Sequence, residues 1–461
     1  MRMHHALSAA CAAVLSLSAG AVRAADGDLF DGWGFLGSGR TLVQYDVGTA
    51  KTDIAADSVV APDGSLFTAA TVVDAQGKQR IGVSKLTPQG ALDTTFSSDG
   101  KNLSLATDVV ASAIALTADN SLLVAGYSTA NSPDIDMVVC RFFASSGANR
   151  NFPAPINDPC VKVVSLPGTV DYARDIVVQP DGKFIVAGTI GSGVDDGYAA
   201  FARFEANGQP DLGFGNLQGS NIALVRRANI FTSHDLRAVA LASNGKIVGA
   251  GSTTVVGSTD RSGLVVRLNA DGTQDALAPS QEYSFSVDGS ASLDTAVRDL
   301  VLVDTTDAED DVYVAGYAEV AANRKGGFVA KLVRGNVLNN DFGPTDDGYA
   351  IASAANANLE YVKLIRRQGG GFFTLGLRND QDAGDFEVRS LSGDGRASLT
   401  FGSNGYARVD FLLPGAIDIP VAIGFGAGGV IVSGYSYVSD SNYDVVAAKL
   451  QYDRIFANDF E

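Results

Sequence analysis

Gln179-Pro180-Asp181-Gly182-Lys183-Phe184-Ile185-Val186-Ala187-Gly188 is the stretch that decides the fold. Asp181-Gly182 tolerates the positive φ angles that a two-residue hairpin turn demands, and the apolar run after it reads as a strand. Relatives of this stretch return at intervals of roughly 60 residues, which marks a repeat architecture and overrides any domain count drawn from length. Aligning on the small residue that ends the strand gives seven units, marked by Ala70, Gly126, Gly188, Gly251, Gly316, Gly376 and Gly434.

Around that hairpin each unit has the same order. A first strand is read from apolar runs such as Ala113-Ile-Ala-Leu116, Ile176-Val-Val178, Ala238-Val-Ala-Leu241 and Leu300-Val-Leu302. A tight turn follows at Asp63-Gly64, Asp119-Asn120, Asn244-Gly245, Gly370-Gly371 or Gly428-Gly429; the fifth unit substitutes the acidic run 307–311. The second strand ends at the marker, and the third ends in a basic residue: Lys85, Arg141, Arg203, Arg267, Lys331 or Lys449. A glycine turn and a short fourth strand close the unit. Four short antiparallel strands repeated radially describe a β-propeller blade, so the expected fold is all-β, a seven-bladed propeller occupying 25–461 as one domain, with repeats over 48–461. The last unit has no fourth strand of its own, while Thr41-Leu-Val-Gln-Tyr45 is a strand without a unit before it. Residues 25–47 are therefore expected to complete the last blade and close the ring, which hides strand edges. An open solenoid is the alternative.

The Pro-Asp-Gly-Lys hairpin, the Val-Ala-Gly strand end, the Arg-Phe or Arg-Leu end of the third strand and the Leu92-Asp93-Thr-Thr-Phe96 tail resemble the delta-60 repeat family of exported bacterial proteins. The resemblance covers nearly all of the chain after residue 24. It is best over 171–215 and weakest over 294–343. It implies a propeller-like repeat and export, and it implies no activity.

The first 24 residues fit a secretory signal peptide: Met1-Arg-Met-His-His, an apolar segment from Ala6 to Val22, and the small-residue end Val22-Arg23-Ala24. A membrane anchor would need a longer apolar run. The formal net charge of −18 becomes −20 once Arg2 and Arg23 leave with that segment. This argues against nucleic acid and anionic membranes as partners and is compatible with cations or basic partners, or with solubility alone; the expectation is an exported, periplasmic or extracellular monomer. The remaining cysteines, Cys140 and Cys160, lie in one repeat. They are a disulfide candidate in an oxidising compartment, or two free thiols.

The chemistry-bearing residues are sparse. Two G-x-G-x-x-G matches begin at Gly32 and Gly424, but neither is followed by the helix that a dinucleotide site requires. The only histidine beyond the leader, His234, reads as a surface residue in a polar loop. Acids recur in the loops between second and third strands (Asp134, Asp136, Asp195, Asp196, Asp260, Asp380, Asp382, Asp385, Asp440, Asp444) and before the first strands (Asp53, Asp108, Asp171, Asp235, Asp294, Asp418). These loops share one face, which is expected to be acidic around the channel mouth. Asp380, Asp382 and Asp385 are the candidate metal ligands, for calcium, because loop carboxylates supply hard oxygen donors. The spacing is one residue off a calcium loop, and Leu391 stands where its bidentate Glu would be. The other reading is that these are turn residues bonding their own backbone. The tail ending Phe460-Glu461 reads as a sorting signal or as a truncated repeat element. The functional expectation is a binding or interaction module for an unknown protein or glycan, with no catalytic residue assigned. The alternatives are a divalent-ion-dependent lyase, lactonase or hydrolase on the acidic face, or a structural surface protein.

Overall fold

The structure is a computed structural model that describes residues 25–452 apart from 46, 48–50, 164–168, 192–196, 226–231, 256–257, 259, 276–281, 288–293, 306–308, 334–336, 355, 381–382, 412–415 and 440–441. The leader, Asp382, Asp195, Asp196, Asp440 and the Phe460-Glu461 tail lie outside the described residues. Apart from a 3-10 turn at Phe35–Gly37, the described residues are all strands, turns and loops. No helix among them is long and apolar enough to cross a membrane.

Among the described residues the strands form successive antiparallel units of four strands, with a fifth in the unit that starts at Thr295. Their first strands are Lys51–Val60, Val109–Leu116, Val170–Val178, Thr232–Leu241, Thr295–Val303, Ala357–Arg366 and Ile417–Gly426. Unit 3 shows the pattern: Val170–Val178 pairs with Phe184–Gly191, that strand with Tyr198–Phe204, and the last with Ile222–Val225. In unit 7 the fourth position is held by the N-terminal strand Arg40–Val43, antiparallel to Asn442–Gln451 in the register Arg40↔Ala448 to Val43↔Val445. Two parallel pairs, Lys51↔Asn442 and Thr52↔Tyr443, also join the last unit to the first.

Both faces of each sheet are covered, which explains why the second strands are continuous apolar runs and not alternating ones. Leu122 to Ala125, for instance, are all buried. The covering layer is the neighbouring unit. Ala125 and Met137 of unit 2 pack with Ala173 and Val186 of unit 3, and six such apolar layers separate consecutive units along the chain. A seventh layer joins Ala55 and Val72 of unit 1 to Ile431 and Val445 of unit 7, with Trp33, Val43 and Tyr45 of the N-terminal segment between them. Cys140 and Cys160 lie opposite each other on the third and fourth strands of unit 2 and are disulfide-bonded.

Candidate functional site

The first strand of every unit begins earlier than its apolar run and carries a β-bulge at one shared position. The register slips at Ala56, Ser112, Arg174, Arg237, Arg298, Val362 and Val421. The marker of the repeat sits opposite this bulge, where the inner strand's backbone crowds its partner. An added Cβ at Gly188 would lie 1.9 Å from the carbonyl oxygen of Tyr172, and one at Gly126 the same distance from that of Val110. Glycine fits such an approach without displacing backbone. The Val-Ala-Gly signature therefore encodes a bulge, and a bulge re-aims the side chain it carries.

Six of those seven side chains line one cavity of about 590 Å³, and all seven units contribute to its wall. Thr71, Gln79, Tyr127 and Tyr435 come from the second and third strands, beside the loops that the sequence reading makes acidic. The charged lining is the reverse of that expectation: Arg174, Arg237, Arg298 and Lys363 are all basic.

The acids of that face are spent on holding the fold. Asp53 is buried and accepts from the Tyr45 N–H at 2.7 Å. Asp418 is buried and accepts from the Phe411 N–H at 3.0 Å and the Ser436 hydroxyl at 2.7 Å. Asp294 accepts from the Arg261 N–H at 2.9 Å. Asp108 pairs with Lys78, and Asp136 with Lys162, each at 3.0 Å. Asp and Asn are serving here as backbone staples, as their short side chains favour.

A second set of carboxylates lies one residue past the bulge. Asp57, Asp175 and Asp299 accept from the backbone N–H of Ile114, Val239 and Leu364, each in the next unit, at 3.2, 2.8 and 2.7 Å. Lys363 extends among the three, 3.5 Å from Asp57. Burial alone would lower the Lys363 ammonium, but Asp57, Asp299 and Asp175 outweigh it and hold it above its ordinary value. Burial pushes the Asp175 carboxyl up to about 7, against the pull of Lys363 and the Val239 N–H. Asp299 is raised for the same reason.

The three arginines form a group of their own. Asp235 accepts from Arg237 Nε at 2.7 Å and stands 3.9 Å from Arg174. Arg174 lies over the Tyr172 ring at 4.8 Å, and Arg298 over Tyr317 at 5.3 Å. Burial, and next the charge of Arg237, lower the guanidinium pKa of both Arg174 and Arg298.

The candidate calcium ligands are not brought together as a set. Asp380 faces Arg378 and Arg408, each at 3.1 Å, and Asp385 is also paired with Arg408. Asp385 instead converges with Asp410 and Asp418, their oxygens lying within 4.8 Å of one another. His234 is a fully buried residue of the strand Thr232–Leu241, not a surface loop residue, because its strand starts before the apolar run. Three of the bases that end the third strands pair with carboxylates at that same end of the strand: Lys85 with Asp93 at 2.8 Å, Arg203 with Asp211 at 2.8 Å and Lys331 with Asp311 at 2.9 Å. Both G-x-G-x-x-G segments are used by the fold; Trp33 of the first is buried and donates its indole N–H to the Pro88 carbonyl at 3.1 Å.

Hydropathy alone starts these first strands at Ile176, Ala238 and Leu300, which leaves the bulged Arg174, Arg237 and Arg298 in the preceding connections. The recoverable signal was a basic residue two places before those apolar residues, or one in the case of Ala238, in three successive repeats.

No curated protein matches the chain. Among solved structures it is similar to a polysaccharide lyase, Uly1 (11% identity, 93% of this chain and 98% of that one, TM-score 0.47). It is also similar to a protein of unknown function from Dyadobacter fermentans (11% identity, 90% and 99%, TM-score 0.43) and to a glucose dehydrogenase (10% identity, 74% and 96%, TM-score 0.41). Residues 61–96, 179–214 and 242–277 match the family described as "Domain of unknown function (DUF5122) beta-propeller", so units 1, 3 and 4 carry repeats of a β-propeller family.

Proposed function

We propose that the protein is an exported, monomeric seven-bladed β-propeller of the delta-60 kind, closed by its N-terminal strand, and that it works as a binding module through the cavity at one mouth of its channel. The observation that carries this reading is that all seven units contribute to a single cavity of about 590 Å³. That volume is in the range of small-molecule sites. Basic side chains on the bulged first strands and tyrosines on the second strands give it recognition groups, and His234 is buried and does not line it. Ser112 lines the cavity from unit 2. A ligand captured from a panel of soluble saccharides, organic acids and peptides should bind the native protein and be lost in Ser112→Trp, whose indole would fill the cavity. Equal binding by both proteins would remove the cavity from consideration.

A second reading, a divalent-ion-dependent enzyme, is favoured by the convergence of Asp385, Asp410 and Asp418. In that reading calcium titration gives saturable heat and a raised melting temperature in the native protein, and neither in Asp410→Asn.

A further inference from the structure

The basic groups at the channel mouth are unequally partnered, and this inequality, which rests on the cavity being the binding site, sets the chemistry of the ligand. The chain carries a net charge of −18, yet the charged residues lining the cavity are Arg174, Arg237, Arg298 and Lys363. Lys363 is neutralised by Asp57 at 3.5 Å. Asp235 neutralises one guanidinium, that of Arg237, through Nε at 2.7 Å. Its other oxygen is 3.9 Å from Arg174, too far for a hydrogen bond. Arg174 Nε is buried with no acceptor among the described residues. Among those residues no carboxylate or carbonyl accepts from Arg298 either, which lies over the face of Tyr317. Arg174 and Arg298 are thus left without a carboxylate in hydrogen-bonding contact, Asp235 standing 3.9 Å from Arg174 Nε.

Their presentation is that of a receptor. Each arginine stands on a bulge of a strand, and Arg174 and Arg298 lie over the rings of Tyr172 and Tyr317 at 4.8 and 5.3 Å. A stacked guanidinium keeps its N–H fork free for a bidentate oxyanion, and little side-chain freedom remains to be lost on binding. Gathering like charges destabilises the empty protein, and such local violations of folding rules mark binding sites.

We infer that the cavity takes a small organic or inorganic dianion, a phosphate or a dicarboxylate in its chemistry, with oxyanion groups held in the forks of Arg174 and Arg298. The cavity volume admits a ligand of that kind carrying a sugar-sized body. Neutral saccharides lack the charge that the two guanidiniums require.

The test is calorimetric titration of the mature protein with inorganic phosphate, sulfate, succinate and glucose at constant ionic strength. Phosphate or succinate is expected to bind saturably at sub-millimolar concentration, to weaken as chloride is raised, and to lead glucose. Whichever of the two binds more tightly identifies the phosphate or the carboxylate source. Arg298→Gln should weaken that binding about tenfold or more, while the melting temperature of the free variant stays level or rises because a like charge has been removed. The melting curve separates lost recognition from lost folding. No saturable binding by any of the three anions overturns the inference, as does binding unchanged in the Arg174→Gln, Arg298→Gln double variant. A neutral ligand that binds the native protein and is lost in Ser112→Trp would overturn the anion chemistry alone and leave the cavity as the binding site.

Discussion

Asp175 follows the bulged Arg174, accepts from the Val239 N–H of the next unit, and faces Lys363 together with Asp57 and Asp299. Its carboxyl is raised to about 7, so the folded protein keeps a proton that the unfolded chain, titrating near 4, has already released. Between those values the folded state binds more protons, and stability falls as pH rises through that window. The melting temperature should therefore decline from about pH 4 to about pH 7 beyond what a variant without this group shows. Asp175→Asn should flatten that slope; an unchanged slope would assign the pH dependence to other groups. None of this was legible in the sequence, where Asp175 is one acid among 52 acidic residues. Its environment depends on residues more than a hundred positions away in units 1, 5 and 6.

At the scale of the element, the hairpin was readable and the start of each first strand was not. Asp-Gly turns and the apolar run after them have local signatures, and Asp181 and Gly182 form the turn that their chemistry dictates: Gly182 has φ +88° and the Lys183 N–H bonds Asp181 Oδ1 at 3.0 Å. A bulge has no comparable local mark. It was encoded indirectly by the glycine across the ladder, and the polar residues it turns toward the channel look like loop residues when the strand is traced by hydropathy alone. The acidic face failed for a related reason: recurrence of Asp located the loops correctly but said nothing of whether the carboxylates point outward or cap neighbouring backbone, as Asp53 and Asp418 do. The third–fourth strand pair of unit 2 gives a direct check on register. Cys140↔Cys160 is a cross-strand pair, and its bond closes a loop of 20 residues worth about 3 kcal/mol in the chain-entropy model. Both cysteines should resist alkylation in the native, unreduced protein and become alkylated after reduction and unfolding. Alkylation of both without reductant, read by intact mass, would contradict the pairing.

For the whole molecule, the cavity and the arginine group exist only if the chain forms a ring, because units 1 and 7 must meet before the channel has a complete wall. What draws them together is sequence-remote: the strand Arg40–Val43 beside Asn442–Gln451, and Trp33, Val43 and Tyr45 packed between the first and last sheets. The repeat pattern points to that strand as a partner for the last unit; the apolar layer beneath it has no such mark, since Trp33 sits in a glycine-rich segment that reads as a loop. The most direct measurement is the melting temperature of the mature protein with and without residues 25–47. Removing three buried side chains worth roughly 2 kcal/mol each, and a paired strand with them, should lower it by on the order of 10 °C and expose the edge of the last sheet. An unchanged melting temperature would contradict the closed ring, and with it the channel-mouth site.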